Sequence, residues 1–195
     1  MDTMESYRRA QDTFDEVIAA VPDERWDRPS ACTEWTVRDV AGHVIWGQRQ
    51  LLAWATGGEY ADRSGSPGAP HPAPLAATDP VGTWRTARAE AFAVLDAETL
   101  ARTTDIPGLG EIPIAGVVTL LTADQLAHAW DMAHACGIDV RFAPELIPGT
   151  FAWARKNAVR RPGFFGPELA APAGADDQTK LLAFLGRANW QPVPA

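Results

Sequence analysis

Residues 121–137 read Leu121-Thr-Ala-Asp-Gln-Leu-Ala-His-Ala-Trp-Asp-Met-Ala-His-Ala-Cys-Gly137, a helical stretch with acids and imidazoles where apolar residues are due. At about 100° per residue, with His128 as origin, Asp124 falls at roughly −40° and Asp131 at roughly −60°. Val117, Leu121 and Ala135 fall within about 20° of the same line. A carboxylate and an imidazole one turn apart therefore share a stripe with residues that belong in a core. Burying such groups alone is costly, so each needs a hydrogen bond, an opposite charge or an ion.

The rest of the chain repeats the helical period around this stretch. Ala10, Phe14, Val17, Ile18 and Val21 recur at three and four in residues 2–21, and Pro22 stops that helix. Residues 22–35 are irregular, with Trp26 and Trp35 as anchors. Thr36 followed by Asp39 has the form of a capping box, opening a second helix that ends at Gly57-Gly58. His43 lies at the edge of its apolar arc, with Gly47 one turn on and Trp46, Gln50 and Trp54 on the same side. Residues 59–78 are rich in Gly, Pro, Ser and Ala and read as a lid or, by preference, a mobile surface loop, in which His71 stands between two prolines without a partner.

Asp79-Pro80 opens a third helix expected to reach Leu100. Residues 103–114, with Pro107, Gly108, Gly110 and Pro113, read as an extended excursion making a tight turn over the end of the bundle. A fourth helix follows over 115–136 and ends at Gly137. A fifth is expected over 144–161 and a short one over 176–187, before Trp190. No segment alternates strictly over strand length and no repeat is visible. The expected architecture is all-α: a four-helix bundle with additional C-terminal helices, residues 1–195 forming one domain.

Composition limits the partners. The chain has 195 residues, nearly half of them apolar, enough for one well-filled core. A formal charge of −8 disfavours nucleic acid and anionic membranes as partners. The polar, mixed-charge opening residues 1–9 imply no secretory signal, and no apolar run approaches the roughly 20 residues a bilayer crossing needs. Cys32 and Cys136 are read as reduced thiols of a cytoplasmic protein. Cys136, at a helix C-terminus, has its thiolate disfavoured by the dipole, whereas Cys32, in a loop before a helix, is placed where a thiolate can be favoured. Eight tryptophans suggest a core of large rings or a ring-lined pocket, and an exposed tryptophan face would suit a homodimer.

Two helices of such a bundle can bring His43 beside Asp124 and His128. Aspartate and histidine at i, i+4 project together, and a second helix supplies a third ligand. Two imidazoles and a carboxylate with one open position suit zinc, and the same donors accept nickel, iron or manganese. Spacing alone more often marks a hydrogen-bonded pair with no ion, and only the apolar placement of all three residues brings the metal reading level with it. Asp131 is placed to accept from a ligand ring, to be a fourth ligand, or to bind backbone N–H beside Trp130. His134 points roughly 120° away from His128 and is not expected to join.

The segments Cys32-Thr-Glu-Trp-Thr-Val-Arg-Asp-Val-Ala-Gly-His43 and Asp124-Gln-Leu-Ala-His128-Ala-Trp-Asp131-Met-Ala, together with the closing Lys180-Leu-Leu-Ala-Phe-Leu-Gly-Arg-Ala-Asn-Trp190, carry a resemblance. They resemble actinobacterial metal-binding proteins related to the N-terminal domain of mycothiol-dependent maleylpyruvate isomerase, in the DinB/YfiT-like superfamily. The resemblance implies a four-helix bundle holding one divalent metal, often zinc, in a shallow site. His43 and His128 match the family's histidines, and Asp124 falls where the isomerase domain has glutamate. It also implies a small-molecule thiol such as mycothiol as cosubstrate, and an electrophile as the second partner. Three functions follow: a metal-dependent thiol transferase or isomerase, a metal-binding module without catalysis, or a metal-dependent hydrolase. In the first, Trp46 or Trp54 would wall the pocket and Asp131 would assist proton transfer.

Overall fold

Thr36 and Asp39 close both arms of a capping box at the start of helix α2 (Val37–Thr56), the threonine hydroxyl taking the Asp39 N–H and the aspartate taking the Thr36 N–H. Asp2, Asp79, Asp96 and Asp176 each accept from the backbone N–H three residues on and so begin α1 (Thr3–Ala20), α3 (Pro80–Ala93), α4 (Ala97–Ala101) and α7 (Asp177–Phe184). Helices α5 (Ile114–Cys136) and α6 (Leu146–Asn157) complete the helical set. The computed structural model describes residues 1–32, 34–106, 110–161 and 163–191.

Helices α1, α2, α3 and α5 pack as the expected four-helix bundle, with α6 and α7 added against α5 and against each other. Helix α5 is buried on nearly every side: Leu126, Met132 and Ala129 at full burial, but also Gln125 and Asp131. Phe14 meets Trp84 edge-on at 4.7 Å between ring centres, tying α1 to α3. Leu126 and Trp130 join a second cluster with Leu146, Leu181 and Leu182, which docks the C-terminal helices on α5. Burying each such side chain is worth about 1.5–3 kcal/mol. That apolar burial holds the rotation of α5 against the cost of carrying polar groups inward.

The differences from expectation are local. The third helix stops at Ala93, and Asp96 caps the separate α4, because Val94 and Leu95 leave the helix where the chain turns. Two short strands, β1 (Thr103–Ile106) and β2 (Gly110–Pro113), pair antiparallel in register Thr103↔Pro113 to Ile106↔Gly110. Strands of four residues are too short for alternation to show. The Pro107-Gly108 part of the expected turn lies outside the described residues. Helices α6 and α7 are shorter at both ends than their apolar patterns suggest.

The larger correction concerns residues 59–78. Instead of a free loop they form a strap tied across α2, with a short 3-10 turn at Ala73–Ala76. The carbonyls of Asp62 and Ala69 accept from the ring N–H groups of Trp46 and Trp35, at 2.7 and 2.9 Å. Asp39 Oδ1 accepts from the Ala73 N–H at 2.8 Å and lies 3.0 Å from Nδ1 of His71, so that histidine has a partner after all. A Cβ on Gly65 would come within 2.2 Å of the Trp46 Cβ, which is why the strap passes there as glycine. Backbone carbonyls make most of these contacts, and side-chain periodicity does not report them. Among the described residues no helix is long and apolar enough to cross a membrane.

Candidate metal centre

Helix α2 carries His43 and helix α5 carries Asp124 and His128 to one point in the bundle. His43 Nε2 lies 3.6 Å and His128 Nε2 3.4 Å from the same oxygen, Asp124 Oδ1. The three atoms lie within 4.8 Å of one another. The two imidazoles meet edge to face at 5.0 Å. Both are nearly buried, each side chain 8% exposed, while Asp124 is 18% exposed and marks the side open to solvent.

The far sides of both rings fix what the near sides present. His43 Nδ1 lies 2.7 Å from the Gly65 carbonyl. A carbonyl can only accept, so Nδ1 carries the hydrogen. His128 Nδ1 lies 3.0 Å from Asp131 Oδ2. Asp131 is buried, which alone would raise its pKa; the adjacent Arg187 guanidinium and His128 outweigh burial and hold it below the usual carboxylate range. It is therefore an anion and an acceptor, so His128 Nδ1 also donates. Each neutral ring is left with its Nε2 lone pair facing the carboxylate of Asp124. With both rings neutral, three acceptors converge with no donor among them, an arrangement that a proton, a donating water or a metal ion can satisfy.

Without a metal, a proton on His128 fills this role. Burial pushes the His128 pKa down, but the Asp124 charge and hydrogen bonds to Asp124 and Asp131 prevail and raise it to about 9. Asp124 would be raised by burial and is instead held well below the carboxylate range by His128 and His43. The donor set also fits a divalent ion: two imidazoles and one carboxylate from two rigid helices, with the other ring nitrogens already oriented. A metal would replace the proton on His128.

Other residues divide plainly. Trp46 stacks near His43 at 6.3 Å and belongs to the wall. Trp54 does not: it packs in the cluster of Leu51, Ile114 and Val118 toward the paired strands, because it lies two further turns along α2. Asp131 has both oxygens engaged, Oδ1 by Arg187 Nε at 3.1 Å and Oδ2 by Arg187 Nη2 at 2.8 Å and by His128. Those contacts place Asp131 behind the His128 ring, on the side away from Asp124. His134 stacks on Trp130 at 4.5 Å, away from the cluster. Cys32 lies beside His128 and Asp131. Burial and the Asp131 charge push its thiol up to about 12, against the thiolate expected from its position before a helix. Burial raises the Cys136 thiol as well. The surface clefts between α1 and α3 and between α2 and α3 include none of these residues.

Sequence reading missed three contributors. Trp35, noted only as an anchor, places its ring 4.9 Å from His43 and 6.0 Å from His128. Its position eight residues before His43, in the same motif, was an available signal. The Gly65 carbonyl has no side-chain signature. Arg187 stands alone after an apolar helix and resembles any charged residue at a helix end.

The model of the mycothiol maleylpyruvate isomerase N-terminal domain matches residues 7–133 of this chain. That range holds His43, Asp124, His128 and Asp131. Two uncharacterized proteins of Mycobacterium tuberculosis, from strains CDC 1551 / Oshkosh and ATCC 25618 / H37Rv, are each 33% identical over 194 residues, covering 96% of this chain and 98% of theirs. In fold, the chain is similar to crystal structures of the mycothiol-dependent maleylpyruvate isomerase (TM-score 0.60, 18% identity) and of a histidine-to-alanine mutant of it (TM-score 0.58, 17% identity). Each likeness covers 77% of this chain and 66% of the isomerase chain.

Proposed function

Because the chain belongs to the family of the mycothiol maleylpyruvate isomerase N-terminal domain, we propose that it binds one divalent metal ion and uses it in the chemistry of a small-molecule thiol of the mycothiol type. Zinc suits the donor set best, and nickel, iron or manganese would be accepted by the same atoms. The observation that carries the proposal is the convergence of His43 Nε2, His128 Nε2 and Asp124 Oδ1 from two rigid helices, all within 4.8 Å of one another.

A divalent ion with an open position lowers the pKa of a thiol that binds it and so supplies a thiolate at neutral pH. The protein's residues do the rest. His43 and His128 are held with their Nε2 atoms inward by Gly65 and Asp131. Asp124, the most exposed of the three, lies nearest the entry for thiol and electrophile. Trp35 and Trp46 wall the imidazoles and exclude water from them. The class of reaction is thiol transfer or thiol-assisted isomerisation of a small electrophile. Maleylpyruvate itself is left out of the proposal, since the likeness covers 66% of the isomerase chain.

A second reading, an ion that only ties α2 to α5, draws on the near-complete burial of both imidazoles. Cobalt-loaded protein titrated with mycothiol separates the two. The thiol reading expects a saturable sulfur-to-cobalt charge-transfer band, and then thiol consumption when an electrophile is added. Retained cobalt with no such band at millimolar thiol would overturn it in favour of the tether.

A further inference from the structure

We propose that Arg187 is a positioning residue of the metal centre, acting on His128 through Asp131, so that the turn following the C-terminal helix α7 is part of the site. The inference rests on the metal reading above and extends it beyond residues 7–133, the range shared with the family. Arg187 lies 56 residues from Asp131 in sequence, yet its side chain is only 11% exposed and that of Asp131 is 0% exposed. Its guanidinium grips the carboxylate with two nitrogens: Nε donates to Oδ1 at 3.1 Å and Nη2 to Oδ2 at 2.8 Å. A forked donor fixes the plane of a carboxylate as well as its charge. The same Oδ2 takes the Nδ1 hydrogen of His128, so the fork sets where that hydrogen bond points and hence where Nε2 faces.

The chain around Arg187 is built to aim it. Helix α7 ends at Phe184, and Gly186 turns the chain back with φ +84. A Cβ there would stand 3.0 Å from Gly166 Cα and the Pro167 carbonyl, so the turn and the close approach both require glycine. Arg187 Nη1 donates to the Leu185 carbonyl at 2.8 Å, and the Phe165 ring lies 5.8 Å from its guanidinium carbon. Leu181, Leu182 and Leu185 anchor this segment on α5 through Leu126 and Trp130.

Charge alone and positioning predict opposite results. Arg187 is a cation near the place of another cation, so by Coulomb's law its removal should tighten metal binding. As a clamp on Asp131, its removal should weaken binding by about 10–100-fold, the usual effect of losing a partner behind a metal ligand. The test uses the full-length protein with Arg187→Gln, and with Arg187→Lys, which keeps the charge and the fold but not the fork. One readout needs no metal: the far-downfield proton resonance of the hydrogen-bonded His128 ring N–H, expected in the parent protein and shifted or lost in both variants. The other is zinc affinity by competition with a chromophoric chelator, expected about 10–100-fold weaker in Arg187→Gln and less so in Arg187→Lys. An unchanged resonance in both variants, or zinc binding that is unchanged or tighter in Arg187→Gln, overturns the proposal. A parent protein that takes up no zinc overturns the metal reading instead, and the resonance still decides the clamp.

Discussion

Gln48 and Gln125 stand on α2 and α5, the helices that carry His43 and His128, and are just as deeply buried. With Tyr7 and Gln11 of α1 they make a second polar cluster inside the bundle. Tyr7 donates to Gln48 Oε1 at 2.5 Å and Gln11 Nε2 donates to the same oxygen at 3.0 Å. An amide offers donors and acceptors together, so this cluster needs no ion, although Gln48 Nε2 and both atoms of the Gln125 amide lack partners among the described residues. The histidine cluster, with both rings neutral, has acceptors alone pointing inward and needs a proton, a water or a metal ion to close. Both clusters are polar and buried, but one is a neutral layer between helices and the other is the donor set proposed to hold a metal ion. Burial of polar atoms is therefore a weaker sign of function than the balance of donors and acceptors among them.

The sharpest contrast comes from removing one member of each. His43→Ala or His128→Ala should weaken zinc binding by more than about 100-fold, beyond the effect of losing an outer partner. Gln48→Leu should leave it within about twofold, because no ligand atom rests on that amide. Chelator competition measures both, and comparable losses in the two sets would erase the distinction.

Proton competition should separate the clusters next. The folded His128 pKa of about 9 lies above its ordinary 6.5. The raised value contributes stability to the metal-free protein that is complete below 6.5 and is lost as pH rises through about 9. Metal must displace that proton, so zinc affinity should rise about tenfold per pH unit up to that pKa and level off above it. Calorimetry in two buffers of different ionisation enthalpy should find about one proton released per ion at pH 8. No release there would contradict the assignment of His128.

Much of the centre was legible because helical geometry is regular. Asp124 and His128 share a face whatever surrounds them, and the capping box at Thr36 and Asp39 fixes the start of the helix that presents His43. The paired strands, the strap and Arg187 were not legible, for different reasons. Four-residue strands have no period to read. The strap works through the carbonyls of Asp62, Gly65 and Ala69, which every residue possesses. Arg187 depends on how the C-terminal helix docks, a long-range matter that local pattern does not encode. Trp54 was placed at the site by a shared helix side and lies elsewhere because two turns of helix carry it about 11 Å along the axis.

The strap offers a smaller test. Gly65→Ala pushes a methyl group into Trp46 and should displace the carbonyl that holds His43. Zinc binding should weaken about tenfold and stability fall by about 1–3 kcal/mol, the second measured by urea unfolding of metal-free protein. Unchanged affinity would remove the strap from the centre. The smallest effect belongs to the neutral cluster: Gln125→Leu should raise stability by about 1 kcal/mol by deleting unpaired polar atoms, with zinc affinity unaltered.

Anomalous diffraction from a crystal soaked in zinc tests the central claim most directly. One strong peak per chain is predicted, bonded to His43 Nε2, His128 Nε2 and Asp124 Oδ1 at about 2.0–2.2 Å, with at least one position left to solvent. A chain with no peak among these atoms after soaking at neutral pH, or with zinc bound only elsewhere, would contradict it.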